Sequence, residues 1–461
     1  MYERLQRIVK CAVVVALGIA ATAACGSRMA AQVPAGFSTT PIFREEFNGN
    51  SVDTKIWTYR HEGTVHRNCY FNSTAVTVEN GHARIRIFTT NNSSGSQTNH
   101  CGGLTTETGT FLHTYGYWEA SVRFQYRPGM QCGFWLQSPW NGSIINNPQQ
   151  AGVEMDVFEH IQSANATSYD HAIWWNGSDP YTKGVSHIGS QSNLDDGNFH
   201  AFGLAWTPGS LTFYVDGVQT WHLSASDGAI SNVADYIILD TELPSAEGVP
   251  SEGYGSLGSS ANPYMDVDYV RVYPYSTKVT STTLSPIADA YVQDGAAAGT
   301  KFPNTKTLLV KSGPVGSNRN AYLKFDLSQI TAPVLQATLY LTPTEMEGHK
   351  IVTVASYVPD NGWTDRDLTW NSQPAISKKL STGTNYGVGL LTNFDITAVA
   401  AAGQQLSVQI AGETPGDTPA SVEYGAEEHG IENCRPRLVV ISGGQPLGSG
   451  GSAIELHQQR R

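Results

Sequence analysis

Outside its first 24 residues, the chain of 461 has no apolar run long enough to cross a bilayer as a helix. No integral membrane span is therefore expected. Charge is scarce, at 15% of residues, and positive charge is scarcest: 28 Lys and Arg stand against 40 Asp and Glu, a net of −12. That balance argues against a nucleic-acid partner. Cysteines number six, with no C-x-x-C pair, so cysteine ligation of zinc is not expected. No apolar pattern keeps a helical period for more than about ten residues, which argues against bundles and doubly wound α/β folds. What the chain has instead is 46 Gly, 10 Trp and 40% apolar residues, a composition that reads as globular, loop-rich and all-β. Its length predicts two or three domains.

The first segment reads as an export signal over residues 1–31. Arg4, Arg7 and Lys10 precede a 14-residue apolar run from Cys11 to Ala24, followed by small residues. A secreted protein is expected, with lipid attachment at Cys25 as the weaker alternative. Thr22 occupies the position three before that cysteine, where lipoprotein sites prefer Leu. Export permits disulfides. Among Cys69, Cys101, Cys132 and Cys434 the preferred pair is Cys69–Cys101, since both lie in early strands, although three pairings are open.

From Thr39 to Tyr275 short strands follow one another between Gly, Asn and Pro. Thr77 to Ile87 reads as strand, Asn80-Gly81 turn, strand. Tyr117 to Phe124 alternates, and Phe213 to Val215 ends at an Asp216-Gly217 turn. Regular short strands with turn signals predict a sandwich.

Within this stretch one segment stands out: Gly152-Val-Glu-Met-Asp-Val-Phe-Glu-His160. Three carboxylates in six residues repel one another and lose hydration if buried. Yet Val153, Met155 and Val157 alternate with Glu154 and Asp156, the period of a half-buried strand. Glu159 is out of step by one. A β-bulge at Val157–Phe158 would return it to the acidic face, and bulges concentrate beside active sites. An exposed acidic strand or a calcium site would also use three acids, but neither explains the apolar alternation. Glycoside hydrolysis does: it needs two carboxyl groups flanking one bond, about 5–5.5 Å apart in retaining enzymes.

This region resembles glycoside hydrolase family 16, on eight motifs in order. They include Phe43-Arg-Glu-Glu-Phe-Asn-Gly49, Tyr115-Gly-Tyr-Trp-Glu-Ala120, Gly133-Phe-Trp-Leu136, the bulged Glu154-Met-Asp-Val-Phe-Glu159 and Asp266-Val-Asp-Tyr-Val-Arg-Val-Tyr273. The resemblance implies a concanavalin A-like β-jelly-roll over 37–275. It implies Glu154 as nucleophile, Asp156 as its assistant and Glu159 as general acid/base, acting with net retention and without a catalytic cofactor. Trp135 aligns with a cleft tryptophan that stacks on sugar. Trp140, Trp175, Asn68 and His171 complete the expected substrate-binding set. His171 has a second reading as a sheet histidine, because Trp174 takes the place where many members carry a histidine. Asp240-Thr-Glu-Leu243 departs from laminarinase-like members. Asp268, with the carbonyl of Gly81, matches a structural calcium site, and a surface aspartate is the other reading.

Residues 276–284 are Thr-rich and read as a linker. Strands resume over 285–443, and motifs including Ala321-Tyr-Leu-Lys-Phe-Asp326 and Leu368-Thr-Trp-Asn371 resemble the DNRLRE-type β-sandwich, related to carbohydrate-binding module family 96. Trp363 and Trp370 are read as core before ligand contacts. Residues 444–461 read as a disordered tail. The expected protein is a monomeric retaining endo-β-glycosidase acting on a polysaccharide. A β-1,3- or mixed-linkage glucan is the leading substrate and an agarose-type galactan the second. The net charge disfavours a heavily sulfated polymer unless a local basic groove overrides it. A non-catalytic lectin and a wall transglycosylase are the alternative classes.

Overall fold

The computed structural model describes residues 33–160, 167–191, 194–348, 351–413 and 420–443. The expectations for 1–31 and 444–461 lie outside the described residues. Strands dominate: among the described residues the one α-helix is the single turn Pro148–Ala151.

Strands between Phe43 and Tyr273 form two facing antiparallel sheets. One runs Lys183–Ser190, Ser168–Trp175, Glu154–His160, Gln131–Gln137, Tyr236–Glu242, Gly103–Thr105, Thr58–Tyr59. The other centres on Gly116–Gln125 and Tyr264–Tyr273. Alternation along each strand sends one set of side chains between the sheets. Trp57, Trp118, Trp206, Phe134, Phe158 and Phe202 are all fully buried there. Each such phenylalanine contributes about 1.5–3 kcal/mol on burial. Asn80 and Gly81, with φ of 54° and 76°, make the tight turn expected of an Asn-Gly pair. The jelly-roll sandwich is thus observed, as is the Cys69–Cys101 disulfide. Cys132 and Cys434 are free thiols.

A second sandwich follows, with four-stranded and eight-stranded sheets and its own core around Leu323, Phe325, Leu339 and Val408. Trp363 is buried and Trp370 half-buried against a smaller cluster, so both pack rather than project. The linker needs correction. Val279–Leu284 is a strand paired residue for residue with Leu438–Gly443. Its Thr-rich composition suits a half-exposed edge strand as well as a linker, because β-branched residues favour extended backbone.

Candidate active site

Glu154–His160 is an interior strand of the cleft-bearing sheet, third of its seven. Against Gln131–Gln137, Phe158 pairs with Phe134 but Asp156 pairs with Trp135, leaving Val157 as the extra residue. Against Ser168–Trp175, Asp156 pairs with Ala172 and Glu159 with Asp170, three steps on one strand to two on the other. The bulge drives both Val157 and Phe158 into the core, where they are fully buried. That inward pair is what returns Glu159 to the face carrying Glu154 and Asp156.

The bulge has room because Gly133 stands opposite Glu159. A Cβ there would lie 3.2 Å from the Phe158 carbonyl oxygen, 3.2 Å from Trp135 and 3.4 Å from Glu159 Cγ. Gly133→Ala is therefore expected to push Glu159 and Trp135 by tenths of an ångström. Its kcat should fall about tenfold or more, because misplaced catalytic groups are costly, while melting shifts little. A variant with full kcat would show that the bulge tolerates the shift.

Glu154, Asp156 and Glu159 share one depression of about 230 Å³ with Trp135, Arg60 and Arg67. Trp135 forms its floor. Its indole N–H donates to Asp240 Oδ1 at 3.2 Å, and the Arg60 guanidinium sits 4.7 Å over its ring. Arg60 also donates to Glu242 Oε1 at 2.6 Å and to Asp240 Oδ2. Arg67 reaches Glu242 Oε2 at 3.1 Å. Gly103 makes this crossing possible, since a Cβ there would lie 3.0 Å from Asp240 Cβ and 3.1 Å from Arg60 Cβ.

These charges separate the acids. Burial pushes Glu159 up to about 8; Gln131, donating to its Oε1 at 2.9 Å, only partly offsets this, and Glu154 reinforces it. Glu159 thus holds a proton at neutral pH. Burial also raises Glu154, but Arg60 and Arg67 oppose the rise by favouring its carboxylate. Asp156 is fully enclosed, and burial together with Glu159, Glu154 and Asp170 lifts it well above the usual carboxylate range, against a hydrogen bond from Trp174. Burial raises Glu242 too, yet Arg60 and Arg67 outweigh it, so Glu242 lies below its ordinary value. Burial thus raises both glutamates, but guanidinium groups oppose the rise only at Glu154, the asymmetry that acid and nucleophile roles require.

The remaining expected contacts divide. His171 is buried on the core side, its ring nitrogens 2.7 Å from the Val157 carbonyl oxygen and 3.0 Å from Thr220 Oγ1. It is a sheet histidine and not a cleft ligand, because odd positions of its strand point inward. Trp175 shares that parity and packs against the core from outside the cleft. Trp174, its neighbour, takes the cleft face opposite Glu154. Trp140 is exposed in the turn after the Trp135 strand and does not line the depression. Asn68 is exposed, and its amide donates to the carbonyls of Leu243 and Pro244, tying down the loop that presents His66 and Arg67. Arg60, Arg67, Gln131, Asp240 and Glu242 line the same depression without having been expected there from sequence. The i, i+2 spacing of Asp240 and Glu242 at the end of an apolar strand was their one available signal.

Asp268 is buried as the extra residue of a second bulge, between Val267 and Tyr269. Its neighbour Asp266 is engaged by Arg84 and Arg123. Among the described residues no group of three or more His, Cys, Asp and Glu is placed to hold a metal.

Residues 38–275 match the family model described as the β-porphyranase A–D domain of glycoside hydrolase family 16, and 280–442 match carbohydrate-binding module family 96. A curated relative is the κ-carrageenase of Pseudoalteromonas carrageenovora, 28% identical over 187 residues, 34% of this chain and 43% of the relative. The chain thus spans less than half of that relative's length. Similar solved structures include a Bacteroides ovatus mixed-linkage glucan enzyme of family 16 at 19% identity, covering 50% of this chain and 99% of that one, TM-score 0.41. A Thermotoga petrophila laminarinase catalytic domain shows 20% identity, 52% and 99% coverage, and TM-score 0.41.

Proposed function

Since the chain belongs to glycoside hydrolase family 16, an endo-acting glycosidase family, we propose that it cleaves a β-galactan of the porphyran class by double displacement. The observation that carries the substrate reading is the basic side of the cleft. Arg67 is 43% exposed and spends one N–H group on Glu242, leaving others for an anionic substituent. The names of the matching family model and of the carrageenase relative support the same class. One observation favours a neutral β-1,3- or mixed-linkage glucan instead: Asp240 and Glu242 already neutralise Arg60 at the cleft floor.

In the proposed reaction Glu159 donates its proton to the leaving glycosidic oxygen while a Glu154 oxygen attacks the anomeric carbon. The bond to the leaving sugar breaks and a glycosyl ester forms. Glu159, now ionised, takes a proton from water, which attacks the same carbon and releases Glu154. Two inversions give retention. Asp156, whose burial favours its neutral form, limits the negative charge beside the pair. Trp135, braced by Arg60 and Asp240, offers a face to a sugar ring. Export through residues 1–31 would suit a substrate too large to enter a cell.

The test is product analysis on porphyran, agarose, κ-carrageenan, laminarin and lichenan. Oligosaccharides of intermediate size from porphyran are expected. Release from laminarin or lichenan alone would move the substrate to β-glucan, and binding without cleavage would leave a lectin.

The pH dependence follows from the two glutamates. Glu154 must be ionised and Glu159 protonated, so kcat/KM should be bell-shaped with its alkaline limb near pH 8. Because Glu159's folded pKa exceeds its unfolded value, the folded state holds a proton that the unfolded chain releases. This group therefore removes stability as pH rises from about 4.5 to 8. An alkaline limb that persists unchanged in Glu159→Gln would assign it to another group. A calcium ion at Asp268 and the Gly81 carbonyl is a separate proposal: added Ca²⁺ should raise Tm and EGTA lower it, and unchanged melting would remove the ion.

A further inference from the structure

Trp175 does not serve the cleft, but its surroundings have a chemistry of their own. It pairs across the sheet with Lys183, so the two side chains leave the same face of adjacent strands. Both line a cavity of about 430 Å³ between the two sandwiches, whose opposite wall carries Ser381, Asn393 and Asp395. The walls are held in register by two hydrogen bonds: the buried Tyr340 hydroxyl donates to Gln149 Oε1 at 2.7 Å, and Asn146 Nδ2 donates to the Thr384 carbonyl at 3.2 Å.

Three features point to a ligand. Trp175 is half-buried, with one side against the core and the rest free to meet a sugar face. Lys183 is half-buried, yet among the described residues no carboxylate pairs with it; its recorded contact is the Tyr386 ring at 5.1 Å. An ammonium withdrawn from water without a counter-charge is costly, and an anionic ligand would supply one. Ser381 Oγ is buried with no hydrogen-bond partner among the described residues.

We propose that this interdomain cavity is a second carbohydrate-binding site, taking an anionic saccharide unit with its ring on Trp175 and its charged group on Lys183. The anion is a sulfate ester or a uronate carboxylate. That it is a sulfate on the enzyme's own substrate rests on the galactan reading; the cavity's chemistry does not. Both domains build the site, so the C-terminal module contributes a wall to it.

The test is calorimetry on the full chain carrying Glu154→Gln, which prevents turnover. The probes are sulfated porphyran, uronate-bearing alginate and neutral agarose oligosaccharides. Two binding events are expected with porphyran oligosaccharide. Adding Lys183→Gln should weaken one event about tenfold or more, the loss of a charge-assisted hydrogen bond, and reduce its salt dependence. Ser381→Ala should weaken the same event if Lys183→Gln disturbs folding. A single event insensitive to both substitutions overturns the proposal, as does equally tight binding of the neutral probe at this site. Binding of alginate alone supports the site and overturns the sulfate assignment. Porphyran binding that depends on Lys183 but spares the cleft supports the site and overturns the galactan substrate. Porphyran binding at the cleft alone overturns the second site only.

Discussion

Glu159→Gln is expected to lower kcat on polysaccharide by about 10²–10⁴-fold, the usual worth of a positioned general acid. The loss should depend on the leaving group. An aryl glycoside with a good leaving group needs little protonation, so its first step should be nearly normal and a glycosyl-enzyme should accumulate. Glu154→Gln is expected to cost on the order of 10⁴-fold or more, as loss of a nucleophile does, and leaving-group quality should not restore it. The contrast rests on the environments. Glu159 has Gln131 as its neutral hydrogen-bond partner and is held protonated by burial, whereas Glu154 faces two guanidinium groups. If the aryl substrate rescued Glu154→Gln and not Glu159→Gln, the roles would be reversed.

Arg60→Gln should have the largest effect on stability. The Arg60 side chain is nearly buried, and its guanidinium faces Asp240 and Glu242, both buried. Removing it leaves the enclosed Asp240 uncompensated and Glu242 with Arg67 alone, a loss of about 3–5 kcal/mol for a broken buried pair. The deficit should depend on pH. With Arg60 present, Asp240 already sits at about 7 because burial outweighs its partner. Its folded pKa exceeds the unfolded value, so it removes stability as pH rises from about 3.8 to 7. Glu242 is depressed, so it adds stability above its unfolded value that is lost as pH falls through the folded one. Without Arg60 both groups are pushed upward. The gap between wild type and variant should therefore be large at pH 7 and smaller near pH 4, where Asp240 is protonated in both proteins. Urea unfolding at the two pH values measures it, and an equal gap at both would place the loss in packing. KM should also rise, since the Trp135 ring loses the group that braces it.

Much of this was legible in the chain. The alternation of Val153, Met155 and Val157 with two acids predicted a strand, and the misfit of Glu159 predicted the bulge that the pairing with Phe134 and Trp135 displays. Both rest on local periodicity, which sequence carries directly. Trp175 went to the wrong face, and His171 stayed between a cleft and a sheet reading, because strand parity has to be counted from a partner. The pairing of Glu154 with Trp174 sets that parity, and nothing in 170–177 fixes it alone. Arg60 was not assigned because its role depends on Asp240, 180 residues away, and on the absence of a Cβ at Gly103. The polar strand Val279–Leu284 read as a linker because its partner lies at the far end of the second domain.

With Glu154 as nucleophile and Glu159 as acid/base, a double displacement on a galactan chain should retain the anomeric configuration. Proton NMR of the first seconds of porphyran cleavage by the full-length protein tests it most directly. The new reducing end is expected to appear first as the β-anomer and only later to mutarotate. A new end that appears first as the α-anomer would contradict it.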